Sequence, residues 1–431
     1  MTSAALQATR FQPRANAIGV DSMLLGVFVT LLMLGLVMVF SSTIALGNQT
    51  LQTNTGHLWR QVLHMGLGLS MTLLIATIPV WVWERLSMPL LVLSLLMLAV
   101  LLFIGVEVNG SRRWIPLLGV RLQPAEIAKL SMVIYAASYL TRKQSELEKF
   151  SKGIVNIGMV LIILAVLLLL QPDFGSFVVI TVTVGLMMFL GGIRLMHTLL
   201  CISFAAIAMF FMVGMSEYRM QRVLSFRDPW ADPFDTGFQL TQALIAIGRG
   251  EIFGVGLGAS IQKLYYLPHA NTDFILAVIG EELGLVGITL VIGLFALLLH
   301  RALVISRTAE LIGRIYAARL AQGIGFLLVF QAIINIGVNL GALPTKGLTL
   351  PFISYGGSSM LVSCIAMGLL FAVDRQNRVR ETNNPGSTSR RIAKNTTAAS
   401  TSKPQSKRSQ SKKNVRKTTR TKNTKTVEVS A

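Results

Sequence analysis

The chain has 431 residues, of which 53% are hydrophobic and only 13% charged, with a formal net charge of +20 and a mean hydropathy of +0.63. That balance excludes a soluble globular domain: apolar runs of about 20 residues, enough to cross a ~30 Å hydrocarbon core, recur along most of its length. Nor does the charge signal a nucleic-acid protein, because sixteen Lys/Arg against Glu381 and Glu428 from Arg375 onward place +14 of the +20 in the C-terminal tail.

In chain order, a polar N-terminal segment at 1–18 precedes a long apolar run bounded by Asp21, which reads as a retained helix rather than a cleaved signal peptide. Spans are predicted at 19–41, 61–82, 87–106, 124–141, 153–170, 174–192, 195–215, 273–299, 313–340 and 350–373. The expected fold is an all-α polytopic membrane domain over 19–375, with ten transmembrane helices. One large extracytoplasmic loop, 216–272, joins the seventh to the eighth. The tail, 376–431, is rich in Ser, Thr, Asn and Lys, cannot bury a core and is expected to be disordered and drawn to anionic lipid headgroups. Cys201 and Cys364 lie in apolar runs and the five histidines are scattered, so neither a disulfide framework nor a metal site is expected.

An even number of spans puts both termini on one side. Arg10, Arg14, Arg142, Lys143, Lys149, Lys152, Arg194, Arg301 and Arg307 then all fall on the side of the tail, which makes it cytoplasmic. Arg112, Arg113 and Arg121, in "GVEVNGSRRWIPLLGVRLQ", fall on the outer side against this bias. A basic cluster there suits an anionic ligand; a structural ion pair with Glu107 or Glu126 accounts for it equally well. In the large loop, "FRDPWADPFDTGFQL" holds two Asp-Pro pairs that force turns. The glycine-rich "IGRGEIFGVGLGASIQ" matches no dinucleotide or P-loop spacing and reads first as re-entrant or interfacial backbone, second as a phosphate nest.

Ionisable groups at membrane depth are costly and point to function. Glu126 and Lys129, three residues apart at the start of the fourth span, share a helix face and can simply neutralise each other. Asp173 suits a helix N-cap. Lys346 lies in a turn between Pro344 and Gly347, and "PFISYGGSS" brings Ser354, Tyr355, Ser358 and Ser359 to the start of the last helix, where hydroxyls and N–H groups could hold phosphate oxygens. In "NTDFILAVIGEELG", Asp273 stands at the outer edge of the eighth span, a place the helix dipole alone could explain. Glu281 and Glu282, ~12 Å or more deeper along the same helix, are not so explained, and are expected to look into a polar cavity open to the outside.

Six ordered motifs, "NGSRRWI", "QPAEIAKL", "QPDFGS", "DPWADPFDTGFQLTQALIAIGRG", "TDFILAVIGEELG" and "LPTKGLTLPFISYGGSS", resemble the SEDS (shape, elongation, division and sporulation) family of peptidoglycan polymerases over about residues 20–375. "PTKGLTLP" and "DPWADP" look like the division branch more than the elongation branch. The resemblance implies ten helices, a catalytic aspartate at Asp273, and lipid II as substrate. Asp273 would then act as general base on an acceptor sugar hydroxyl. Arg113, Lys129 and Lys346, with a divalent cation (Mg or Mn) as a further aid, would stabilise the departing diphosphate. Trp114 would stack on a sugar or anchor its loop, and Glu126, Glu281, Ser354 and Ser358 complete the expected substrate-binding set.

The implied partners are a class B penicillin-binding protein (FtsI) and other divisome proteins, at the septum in the bacterial inner membrane. "LPHANTDF" departs from the family's common "LPEAHTDF", with His269 and Asn271 where Glu and His are usual. Two other classes compete: a lipid II flippase or secondary transporter, and a scaffold that only recruits a synthase.

Overall fold

The computed structural model describes residues 19–44, 51–108, 111–117, 120–144, 153–193, 196, 226–235, 237–264, 267–345 and 347–383. The predicted seventh span, Lys346, the first 18 residues and the tail beyond Asn383 lie outside the described residues. In chain order come α1 (Ser22–Ile44), α2 (Leu51–Thr77), α3 (Val80–Ile104), β1 (Val106–Val108), β2 (Ser111–Leu117), β3 (Val120–Leu122) and α4 (Pro124–Arg142). There follow α5 (Val155–Leu170), α6 (Phe174–Leu190), α7 (Phe238–Gly250), α8 (Ile275–Leu311), α9 (Ile315–Asn339) and α10 (Gly357–Asn383). Among the described residues, five helices (α1, α3, α8, α9 and α10) are long and apolar enough to cross a membrane, and α5 and α6 are shorter apolar helices.

Helix α9 lies at the centre, packed against α4, α6, α8 and α10, while α1 and α2 pack on the α8 and α10 side. Phe28 of α1 meets Phe352 and Phe371 edge-on, with centroids 5.4 and 6.0 Å apart, so an aromatic cluster ties α1 to α10 and the turn before it. At the end opposite the strands, the ends of α1, α8 and α10 are clamped by charge. Arg301 pairs with Asp21, Arg378 reaches Asp21 at 3.4 Å and Asp374 at 3.0 Å, and the Asp21 amide donates to Asp374 at 2.7 Å.

Several predicted boundaries shift for identifiable reasons. The second and third spans, predicted at 61–82 and 87–106, divide at Pro79 rather than at 83–86, because proline disfavours helix in the residue before it. The eighth helix does not end at 299: paired to Asp21, Arg301 lies within the helix, and the buried Ala302, Ile305 and Ala309 keep one face packed through to Leu311. The last helix starts at Gly357 rather than 350, since Pro351–Ser354 form turns, and it runs on past 373 as Arg378 binds Asp374.

An all-α fold also needs amending. β1, β2 and β3 form a three-stranded antiparallel sheet between α3 and α4. A signal was present in the sequence, as the turn pair Asn109-Gly110 separates Val-Glu-Val from a stretch that holds Trp114 and Ile115.

The described part of the 216–272 loop folds back on the bundle. Within it α7 packs along α8, and Gly250 comes so close that a Cβ there would lie 1.8 Å from the Gly280 carbonyl. Helix α8 is broken at Gly284 (φ 67°, ψ −161°), a conformation that glycine adopts without a Cβ penalty. The backbone groups freed by the break are taken up by the loop. The Val255 and Gly256 amides donate to the Glu281 and Glu282 carbonyls at 3.0 and 3.1 Å, and Leu285 and Val286 donate to Glu251 and Ile252 at 3.0 and 3.1 Å. The break in α8 is thus satisfied by backbone of the glycine-rich stretch, whose residues 251–253 and 256–259 are themselves exposed.

Candidate active site

Asp273 stands two residues before α8, in a turn closed by His269, whose carbonyl accepts from the Thr272 and Phe274 amides at 3.0 and 3.3 Å. No side chain of the turn caps α8. Instead Asn339 of α9 reaches across: its Oδ1 accepts from the Ala277 amide at 3.1 Å while its Nδ2 donates to the Asp273 carbonyl at 3.0 Å. Asn335, one turn earlier, donates to the same carbonyl at 2.9 Å and to the Leu348 carbonyl at 2.6 Å. The helix start is therefore satisfied from outside, and the Asp273 carboxylate is not consumed in capping, which answers the dipole explanation of its position.

The turn is also held on its other side. Ser354 Oγ donates to the Thr272 carbonyl at 2.6 Å and accepts from the Leu350 amide at 2.8 Å, and the Tyr355 amide donates to the Asn271 carbonyl at 2.9 Å. Backbone on both sides of Asp273 is fixed by residues from α9 and from the turn before α10, so its side chain has a defined place to point.

That place is a narrow gap beside Gly347. A Cβ built on Gly347 would lie 3.3 Å from Asp273 Oδ2 and 4.0 Å from Arg113 Nη1, so the carboxylate and the guanidinium converge on one spot. Arg113 arrives from β2 and is anchored by donating its Nε to the Gln171 carbonyl at 3.3 Å and its Nη2 to the Pro172 carbonyl at 2.5 Å. Burial pushes the Asp273 carboxyl up to about 6, against the opposing pull of the His269 and Arg113 charges. Desolvation outweighs these opposing contributions, leaving a carboxylate more basic than an ordinary one.

The remaining predicted residues fall in separate places. Trp114 follows Arg113 on β2, and because successive strand residues face opposite ways, it stands on the other face of the sheet from the Asp273 gap. The strand register sets Arg112 opposite Glu107. Ser358 Oγ accepts from the Gln123 amide at 3.1 Å, tying the start of α10 to the approach to α4. Asp173 caps α6, accepting from the Ser176 amide at 3.2 Å and hydroxyl at 2.8 Å. Glu126 and Lys129 form a buried pair at 2.8 Å; the Lys129 ammonium also donates to Gln331 Oε1 at 2.8 Å, and Gln331 in turn donates to the Thr349 carbonyl at 3.1 Å. Lys129 thus supports the 347–350 segment from beneath, with its charge already partnered.

Glu281 and Glu282 do not face an open cavity. They are 0% and 1% exposed and are saturated by the loop folded over them. Glu281 accepts from Arg249 Nη1 at 2.7 Å, Ser260 Oγ at 2.5 Å and the Ile261 and Gln262 amides at 3.0 and 3.3 Å. Glu282 accepts from Lys263 Nζ at 2.6 Å and from Ser41 Oγ at 2.7 Å to each of its oxygens. Excluding water from two carboxylates at this depth requires this density of donors, and it makes the pair the anchor of the loop.

Three residues that the sequence reading passed over prove central: Gln331, Asn335 and Asn339. Their i, i+4, i+8 spacing in "FQAIINIGVN" lines one face of α9 with amides inside an apolar span, and that periodicity was a legible sign of a polar wall. Among the described residues, no group of three or more His, Cys, Asp or Glu side chains gathers.

Residues 21–379 match the model of a family described as cell cycle protein, that of FtsW, RodA and SpoVE. A probable peptidoglycan glycosyltransferase FtsW of Nitrosococcus halophilus is 51% identical over 360 residues, covering 83% of this chain and 93% of that protein. The protein of the same name from Coxiella burnetii is 46% identical over 346 residues, covering 80% and 93%. In three dimensions the chain is similar to one described under "Structural coordination of polymerization and crosslinking by a peptidoglycan synthase complex". The TM-score is 0.69 at 30% identity, with 83% of this chain and 98% of that one covered. It is also similar to the rod shape determining protein RodA of Thermus thermophilus, with a TM-score of 0.61 at 28% identity, covering 85% and 99%.

Proposed function

The chain belongs to the FtsW, RodA and SpoVE family of cell cycle proteins, and from that premise we propose that Asp273 is the catalytic base of a peptidoglycan glycosyltransferase. The enzyme polymerises lipid II into glycan strands during cell division, as its similarity to proteins named FtsW supports. The observation that carries the catalytic assignment is the convergence of the Asp273 carboxylate and the Arg113 guanidinium beside Gly347, at the end of a membrane helix.

In the reaction, a hydroxyl of the acceptor sugar attacks the anomeric carbon of a lipid-linked donor. The carbon–oxygen bond to the diphosphate breaks as the glycosidic bond forms, and the undecaprenyl diphosphate leaves with the electron pair. Asp273 takes the hydroxyl proton, and a carboxyl pushed up to about 6 is mostly ionised at neutral pH yet more basic than an ordinary one. Arg113 sets a fixed positive charge beside the reacting groups, where diphosphate charge develops. Lys346, which precedes Gly347 in sequence, is proposed as a further cation for the diphosphate. Ser354, Asn335 and Asn339 hold the backbone that carries Asp273 and so set its distance to the hydroxyl. A site at the outer end of α8 lets a polyprenyl tail remain in lipid while the disaccharide reaches the base.

The wider assignment follows the same reading: ten spans with both termini cytoplasmic, residence in the inner membrane at the septum, and a class B penicillin-binding protein (FtsI) as partner. Similarity to a chain of a complex described as coordinating polymerization and crosslinking supports such a partner. Purified chain with that partner and labelled lipid II in proteoliposomes tests the function. Polymer of many disaccharide units is expected; lipid II moved across the bilayer with no polymer formed would instead establish a transporter.

A further inference from the structure

A second polar site lies far along the bundle from Asp273, between the start of α3 and the end of α4. There a cavity of about 510 Å³ opens at the helix ends, lined by Trp81, Glu84, Arg85, Ser87, Ser138 and Arg142 among others. It is on the face where α10 ends, since the Val80 amide donates to Gln376 Oε1 at 3.4 Å and Arg375 donates to the Thr77 carbonyl at 2.9 Å. None of the catalytic groups reaches it, and the reaction makes no use of it.

Its chemistry is specific. The Arg85 guanidinium lies 4.8 Å from the ring centroid of Trp81, which orients it, and Arg142 is steadied by donating Nε to the Ser138 carbonyl at 3.4 Å. Ser87 and Ser138 are buried, 3% and 2% exposed, and put hydroxyls at the floor. Trp81 is 55% exposed, as an aromatic residue anchored at a membrane interface would be. Below it, α3 presents Leu86, Val92, Leu93 and Leu96, 40–58% exposed, an apolar face suited to lipid chains. The cavity therefore sits at the depth of lipid headgroups, at the head of a lipid-facing strip.

Two guanidiniums and one carboxylate share this space. A simple phosphate would suit the arginines but would be repelled by Glu84 in the same cavity. A headgroup bearing both a phosphodiester and an amine turns that repulsion into a second ion pair. We propose that this cavity binds the headgroup of an amine-bearing phospholipid of the phosphoethanolamine type, its phosphate on Arg85 and Arg142 and its ammonium on Glu84. Basic pockets between membrane helices take lipid phosphates by the same physics, and the carboxylate adds the selectivity.

Native mass spectrometry of the full-length chain in detergent, titrated with phosphoethanolamine and phosphoglycerol lipids of identical acyl chains, tests the proposal. Wild-type protein is expected to retain the phosphoethanolamine lipid about fivefold better, the value of one partly exposed ion pair. Glu84→Gln is expected to bind both lipids equally, and Arg85→Ala with Arg142→Ala to lose about tenfold in retention of either. Equal or better retention of the phosphoglycerol lipid by wild-type protein would overturn the proposal without recourse to any variant, as would undiminished binding by a folded double variant. Displacement of the bound lipid by inorganic phosphate alone would also overturn it, because it would make the site one for a free anion.

Discussion

Asn339 donates to the Asp273 carbonyl at 3.0 Å and, through its other amide atom, accepts from the Ala277 amide at 3.1 Å. One side chain of α9 thus both caps α8 and holds the backbone that precedes it, so the aim of the carboxylate proposed as the base depends on α9. Replacing Asn339 with Ala removes one of two donors to the Asp273 carbonyl, which keeps Asn335, and one of two acceptors of the Ala277 amide, which keeps the Phe274 carbonyl, at a cost of about 0.5–1.5 kcal/mol for each lost hydrogen bond. A sub-ångström release of the turn is expected to lower kcat by roughly tenfold to a hundredfold with a smaller change in KM. Steady-state kinetics beside thermal unfolding separates the two effects; an unchanged kcat in a folded Asn339→Ala variant would remove Asn339 from the positioning role.

The pH dependence of polymerisation follows from the Asp273 carboxyl, pushed up to about 6. Protonating the base abolishes its role, so the rate is expected to fall as pH drops through about 6. A limb near 4, the ordinary carboxylate range, would mean that burial does not raise this group in the working enzyme.

The same shift has a consequence for stability of opposite sense to catalysis. A folded-state value above the ordinary 3.8 means that ionising Asp273 costs the fold. The cost is complete above about pH 6, fades as pH falls through that window, and is gone below about 3.8. Asp273→Asn is therefore expected to be more stable than the parent at pH 7, by at most about 3 kcal/mol, with the gain shrinking towards pH 4. Melting curves at the two pH values provide the check.

Lys263 and Glu282, 2.6 Å apart and 4% and 0% exposed at their side chains, hold the 251–264 loop to α8. Lys263→Ala strands a buried carboxylate and is expected to cost about 3–5 kcal/mol, while adding Glu282→Gln restores a substantial part. A double-mutant cycle on thermal stability reads the coupling, and additive losses would show that the pair is not what pins the loop.

Much of this was legible in the sequence, and the losses have physical causes. Periodic apolar runs located most helices because burial and lipid exposure both demand them. Pro79 moved one boundary that hydropathy alone placed at 83–86, since apolar content does not report where an amide hydrogen is missing. Asp273 drew notice as an acid at the hydrophobic edge, a place the helix dipole alone could explain, and its catalytic role was implied by the resemblance of its motif. Glu281 and Glu282 satisfied the same test for a different reason: their donors come from a loop 19 to 32 residues earlier in the chain and from Ser41 of α1, and nothing local reveals such pairing. Asn335 and Asn339 escaped notice because neutral amides carry little weight in a search for charge. Arg113 drew attention only by standing on the side of the membrane where arginine is disfavoured.

Gly347 tests the shape of the gap. An alanine methyl there would lie 3.3 Å from Asp273 Oδ2 and near Arg113, in space that the reacting hydroxyl must use. Gly347→Ala is expected to fold normally and to lose at least about tenfold in kcat/KM. Wild-type kinetics from that variant would place the reacting atoms elsewhere.

The central claim is that the Asp273 carboxylate removes the acceptor proton. Its most direct test is the initial rate of glycan formation from labelled lipid II by Asp273→Asn, a replacement of nearly the same shape that cannot take up a proton. With folding confirmed by a melting temperature at or above that of the parent, the rate is expected to fall by at least a hundredfold. Polymer formed at the parental rate by that folded variant would contradict the account.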